Sequence, residues 1–181
     1  MSARKPGGSA QTGGPVLEDD VLRLRPLTLD EVVSWQAGED DEIRRWFQLS
    51  RPSSRQDVTR AIQAWKRSWT EGGPVRHFGI WTIDGDALVG GVEVRDRGEG
   101  SAYLTYLVFA DHRRRGHASR AVRLAADYAR RALPVERLVI ITDAGNEAAR
   151  GVAEAAGFGL DGPADPSEYV ELGEMLRYVR T

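Results

Sequence analysis

The chain has 181 residues, 41% hydrophobic and 29% charged, enough for one domain with a buried core. It has no cysteine, which excludes a disulfide framework, a thiolate metal site, an iron–sulfur cluster and a cysteine nucleophile. Lys+Arg 25 against Asp+Glu 27 gives a net charge of −2, no signature of a nucleic-acid binder, and no run approaches the roughly 20 apolar residues of a membrane helix.

Residues 1–20 are rich in Gly, Ser and Pro and lack an apolar segment, so they read as a flexible tail ahead of a single domain over 21–181. Without a secretory signal the expected location is cytoplasmic. Val21 to Pro26 alternates as a half-exposed strand stopped by proline. Thr28-Leu29-Asp30-Glu31 has capping-box spacing and predicts a helix ending near Gly38. Ser54 to Asp57 opens another, with Val58, Ile62, Trp65 and Trp69 at helical spacing until Gly72-Gly73-Pro74. A hairpin follows: His77 to Ile83, the turn Asp84-Gly85, then Ala87 to Arg95. Tyr103 to Phe109 is more continuously apolar, as a central strand should be. A long helix from about Arg115 carries Ala118, Ala121, Val122, Ala125 and Ala129 as one stripe. Leu138 to Thr142 is another buried strand, Asn146 caps a helix that ends at Gly157, and Tyr169 to Val179 is a closing strand.

The chemistry-bearing stretch is Tyr106-Leu107-Val108-Phe109-Ala110-Asp111-His112-Arg113-Arg114-Arg115-Gly116-His117-Ala118-Ser119: a strand, a basic loop with one glycine, then a helix. Unpaired amides at a helix N-terminus, the positive end of its dipole and nearby guanidinium groups suit a phosphate. Gly116 and Ala118 are small enough to let one approach the backbone, and Arg113 to Arg115 can neutralise it. Taken alone, the same run is a solvated basic turn. Residues 111–131 carry net +5, but without interleaved aromatics a nucleic-acid role is not expected.

The pattern Arg113-x-x-Gly116-x-Ala118 after a strand resembles the acetyl-coenzyme A signature of the GNAT (GCN-five-related) N-acetyltransferases. Asn146 to Phe158, an Asn-initiated helix ending in Gly-Phe, resembles that family's second helix, most closely in the branch of ribosomal-protein N-terminal alanine and serine acetyltransferases. The resemblance spans Val21 to Val179. It implies an α/β (α+β) fold: a mixed, mostly antiparallel sheet of about seven strands flanked by about four helices, splayed between two central strands. It implies acetyl-CoA as co-substrate, no metal, and transfer to a primary amine, either a protein N-terminal α-amine or a cationic small molecule. A non-catalytic acetyl-CoA-binding module is the alternative, and a homodimer is one implied assembly.

By position, the resemblance assigns the pantetheine arm to the backbone of Leu107, Val108 and Phe109, with Val108 N–H polarising the thioester carbonyl. Arg113, Arg114, Arg115, Gly116, His117, Ala118 and Ser119 would hold the pyrophosphate, with Asn146 and Arg150 completing the cofactor set. The family's hydroxyl-bearing position on the second helix is Ala149 here. The amine must lose a proton. Glu93, opposite the core-facing Val92 and Val94, is the first candidate acceptor of it, or else a surface Glu paired with Arg95; Tyr103, Asp143 and His77 follow. Residues 28–43 hold six carboxylates and no Lys or Arg, so Asp40 and Asp41, with Trp35 and Trp46, are expected to receive a cationic substrate, unless the segment is only a solvated helix end.

Overall fold

The computed structural model describes residues 13–169 and 173–181. Eight strands form one sheet: β1 (Leu17–Glu18), β2 (Leu22–Arg25), β3 (Val75–Thr82), β4 (Leu88–Gly98), β5 (Ser101–Val108), β6 (Arg137–Asp143), β7 (Gly159–Pro163) and β8 (Met175–Arg180). Their order is β1-β2-β3-β4-β5-β6-β8-β7, and every described pairing is antiparallel save β5 with β6. The helices are α1 (Val32–Ala37), α2 (Asp41–Trp46), α3 (Arg55–Thr70), α4 (His117–Ala132) and α5 (Glu147–Ala155). None of the described helices is long and apolar enough to cross a membrane.

Two-residue alternation decides which face each side chain joins. On one face Phe78, Ile80, Val92, Val94 and Leu104 meet the alanine stripe of α4, where Ala121, Ala125, Ala126 and Ala129 are all fully buried. Small side chains on that stripe let the helix lie close to the sheet. On the other face Trp81 packs with Leu27, Val58 and Ile62 beneath α1 and α3. The helices thus cover both faces and leave the end of β5 to build a site between them.

Several boundaries differ from the sequence reading. The sheet begins at Leu17, paired with Leu24, ahead of the expected start at residue 21; the tail's first twelve residues lie outside the described residues. The capping box at Thr28 and Glu31 forms, but it opens a short 3₁₀ turn that passes into α1. The segment read as an acidic loop contains α2, capped by the Asp40 carboxylate accepting from the Ile43 N–H (2.9 Å). The closing strand starts at Met175, not Tyr169, and its residues 170–172 lie outside the described residues. Strand β7 was not expected at all: exposed, with Gly159, Gly162 and Pro163, it carries no alternating pattern.

Candidate active site

Strands β5 and β6 pair only through Ser101, Ala102 and Tyr103 and then part. The Phe109 N–H donates to Val89 C=O on the β4 side (2.9 Å). Backbone direction alternates along a strand, so the Val108 N–H and C=O face the opposite, parted edge. Val108 C=O indeed accepts there from Arg113 Nε (2.9 Å). The Val108 N–H lies on the edge that β6 has left.

A cavity of about 720 Å³ opens along that edge. Leu107 and Val108 form its floor, residues 113–119 without Arg115 one wall, Asn146 and Ala149 at the start of α5 another, and Trp46 with Phe47 the third. Gly116 caps α4 with φ +76° and ψ 4° and no side-chain cap bond, so the first amides of a sixteen-residue helix meet the cavity uncapped. The Ser119 hydroxyl turns back to Gly116 C=O (3.0 Å). A methyl at Gly116 would meet open space, so glycine is needed there for its φ and not for room. Arg114 is also left-handed, at φ +61°.

The structure separates the expected cofactor residues into two groups. Leu107, Val108, Arg114, Gly116, His117, Ala118, Ser119 and Asn146 all line the cavity. Arg113 lines it too, but its guanidinium is already engaged. It forms a bidentate pair with Asp40 (2.8 and 3.0 Å) and donates to Glu42 (2.8 Å) besides Val108 C=O. Where the sequence led us to expect Arg113 on the pyrophosphate and Asp40 on a substrate, basic loop and acidic segment neutralise one another. The Arg113 hydrogen bond holds the Asp40 carboxyl below its ordinary value. Arg115 is exposed and outside the cavity. Arg150 turns behind α5 to Tyr178 Oη and Ala144 C=O (both 3.2 Å), and Phe109 packs edge-to-face on Trp35, 5.7 Å between centroids. Asp41 is 97% exposed and pairs with Arg44.

Tyr103, the other catalytic candidate on β5, does not line this cavity. It lies where β5 still pairs with β6, and its hydroxyl donates to Glu168 (2.5 Å); burial and then that carboxylate push the phenol up to about 12. The phenol in the cavity is Tyr106, which the sequence reading left as a strand residue. Its hydroxyl donates to Ala149 C=O (2.8 Å), and burial raises it well above the ordinary range. Alternation was the available signal, since Tyr106 and Val108 share the face toward α5. Asn146 accepts from Ala149 N–H (3.0 Å), so cap and phenol hold the same residue.

Glu93 lies on the far face of β4, half-buried and ion-paired with Arg95 (2.8 Å). It lines a second cavity, of about 430 Å³, beside Trp35, Trp65, His77 and Glu39. Ile43, Phe47, Tyr106 and Leu107 line both cavities, so the two share a wall. His77 stacks flat on Trp65 (3.6 Å, 7°), and burial brings its imidazole down to about 3, so it stays neutral. The other expected substrate residues divide: Trp35 walls this second cavity and Trp46 the first. His117 is buried and its pKa is lowered by that burial and by His112 and Arg115.

The family model for the acetyltransferase (GNAT) domain matches residues 22–159. The chain belongs to the GNAT acetyltransferase family. A curated relative, the uncharacterized N-acetyltransferase YoaA of Bacillus subtilis (strain 168), is 27% identical over 151 residues, covering 82% of this chain and 85% of that protein. Among solved structures, the ribosomal L7/L12 α-N-protein acetyltransferase RimL in complex with coenzyme A superposes with a TM-score of 0.76 at 21% identity, covering 92% of this chain and 97% of that one. The ribosomal-protein-S5-alanine acetyltransferase of Vibrio fischeri gives 0.77 at 14%, covering 92% and 96%. The microcin C7 self-immunity acetyltransferase MccE, in complex with acetyl-CoA and AMP, gives 0.75 at 16%, covering 90% and 93%. At these identities the solved structures speak for the fold: a mixed sheet of eight strands with five α-helices, one of each more than the sequence led us to expect.

Proposed function

We propose that the chain transfers the acetyl group of acetyl-CoA directly to a primary amine, as an N-acetyltransferase. One observation carries this reading: a single cavity joins an unpaired strand edge to an uncapped helix N-terminus. The edge suits the amide groups of a pantetheine arm, and the amides of residues 117–119, with Arg114 beside them, suit a pyrophosphate. Two of the structural neighbours hold coenzyme A or acetyl-CoA, which supports the same co-substrate here.

In this reading the Val108 N–H donates to the thioester oxygen as charge develops on it, an interaction worth about 3 kcal/mol of barrier in comparable sites. The amine nitrogen bonds to the carbonyl carbon, and the carbon–sulfur bond breaks with its electron pair on sulfur. The amine's proton leaves toward Glu93, directly or through water. A free thiol titrates near 8.5, so the thiolate leaves without a protein acid and takes its proton from water, while the Tyr106 hydroxyl, kept protonated by burial, turns from Ala149 C=O to donate a hydrogen bond to the departing sulfur. Arg113 acts on the site indirectly, by tying α2 to the loop.

Calorimetric titration of acetyl-CoA and thiol release with amine panels test the reading. Saturable binding, abolished in Gly116→Glu, is expected, because the new carboxylate would occupy the anion cradle. Tyr106→Phe should lower kcat about tenfold with acetyl-CoA affinity unchanged, the loss of one hydrogen bond to the departing sulfur. Absence of binding by the wild-type protein would overturn the assignment.

A further inference from the structure

We infer that the acceptor is a monocationic primary amine carried on an apolar body the size of one aromatic ring, bound in the 430 Å³ cavity beside Glu93. Its role as acceptor rests on the acetyl-transfer reading; its binding does not. The walls argue first. Trp35, Trp65, Phe109 and Leu107 line the cavity, with Trp65 and Phe109 each packed edge-to-face on Trp35. Phe47 and Leu49 at its rim are 37% and 39% exposed, apolar surface with no partner among the described residues.

The charges argue next. A polycation would need several free carboxylates, and the acidic segment does not provide them. Asp40 and Glu42 are held by Arg113, Asp41 by Arg44, and Glu31 by Arg25. Glu39 lines the cavity but accepts from the Ser53 N–H (3.0 Å) and pairs with Arg44 (3.4 Å). Of the two carboxylates that line the cavity, Glu93 has the single partner Arg95, which lines it too, and keeps acceptor capacity for one ammonium. The neutral wall is completed by His77, 5% exposed and stacked flat on Trp65.

Size and position agree. A cavity of about 150 Å³ takes one benzene ring, so 430 Å³ has room for a ring, an amine-bearing chain and water around them. The shared wall at Tyr106 and Leu107 sets the inner end of this cavity against the Val108 edge. Gly91 lets the Trp35 ring pack down on the sheet: a methyl there would lie 2.6 Å from that ring and push it out of the cavity wall. An aryl group two carbons from an amine satisfies all of these demands. That chemistry occurs both in a free arylalkylamine and in a protein whose first residue is Phe.

The test is titration of coenzyme A-saturated protein, followed by the fluorescence of its tryptophans, with phenylethylamine, a short peptide beginning with Phe, methylamine and spermidine. A saturable response to phenylethylamine or the peptide, at least tenfold tighter than to methylamine or spermidine, is expected, and the better of the two identifies the source. Trp35→Ala and Gly91→Ala should each weaken it about tenfold, with acetyl-CoA binding retained as the check on folding. An equal or tighter response to spermidine, or no response to either aryl compound, overturns the inference. Thiol release with the same compounds judges the catalytic reading separately: tight aryl-amine binding without turnover would sink that reading and leave this site standing.

Discussion

Arg113 spends its donors within the protein. Nε goes to Val108 C=O, while the two terminal nitrogens serve Asp40 and Glu42. One side chain therefore fixes the end of the β5 edge and holds α2 against the cofactor cavity. If this is its work, Arg113→Ala and Asp40→Asn should each weaken acetyl-CoA binding about tenfold, and the double variant no further. Such a cycle would give a coupling energy of about 1.4 kcal/mol. A guanidinium that instead touched the pyrophosphate would be freed by Asp40→Asn, and affinity would hold or rise. Calorimetry on the four proteins separates the two cases, because the predictions for Asp40→Asn have opposite directions.

At the scale of elements, the cradle depends on how α4 begins. Gly116 is left-handed at φ +76°, and a methyl there meets nothing, so Gly116→Ala isolates the backbone term. A cost of about 1 kcal/mol is expected, a fall in Tm of about 3 °C, with Gly116→Asn losing less since asparagine tolerates this conformation. Differential scanning calorimetry of the two variants measures it. This element was legible in the sequence because strand, glycine loop and helix are contiguous, so the chain itself carries the pattern. The same holds for α3 and α4, sixteen residues each, and for β3, β4 and β5, long enough to display their periods. Helix α2 and strand β7, at six and five residues, are too short to do so and exist through what they pack on. The pairing of Arg113 with Asp40 joins positions 73 residues apart, which no local pattern encodes. Reading each charge run separately therefore could not show that the two segments pair with each other.

At the scale of the whole molecule, burying an imidazole makes folding compete with protonation. The His77 ring is buried against Trp65 with its pKa brought down to about 3, whereas in the unfolded chain it titrates near 6.5. Between those values the unfolded state binds a proton that the native state refuses. The contribution is fully present above about pH 6.5 and is lost toward pH 3, with a limiting slope of about 1.4 kcal/mol per pH unit. His117, lowered by burial, acts in the same direction. The paired carboxylates Glu31, Asp40 and Glu168 are held below their ordinary values, so their stabilisation persists above about pH 4.5 and fades only in stronger acid. The interval from about pH 6.5 to 4.5 thus belongs to the buried histidines. Urea unfolding across it should show the wild-type protein losing stability steadily, while His77→Phe, which keeps a flat ring against Trp65 and cannot titrate, loses less per pH unit. Parallel curves would mean that the imidazole opens to water without unfolding, and the wall of the second cavity would then be a movable one.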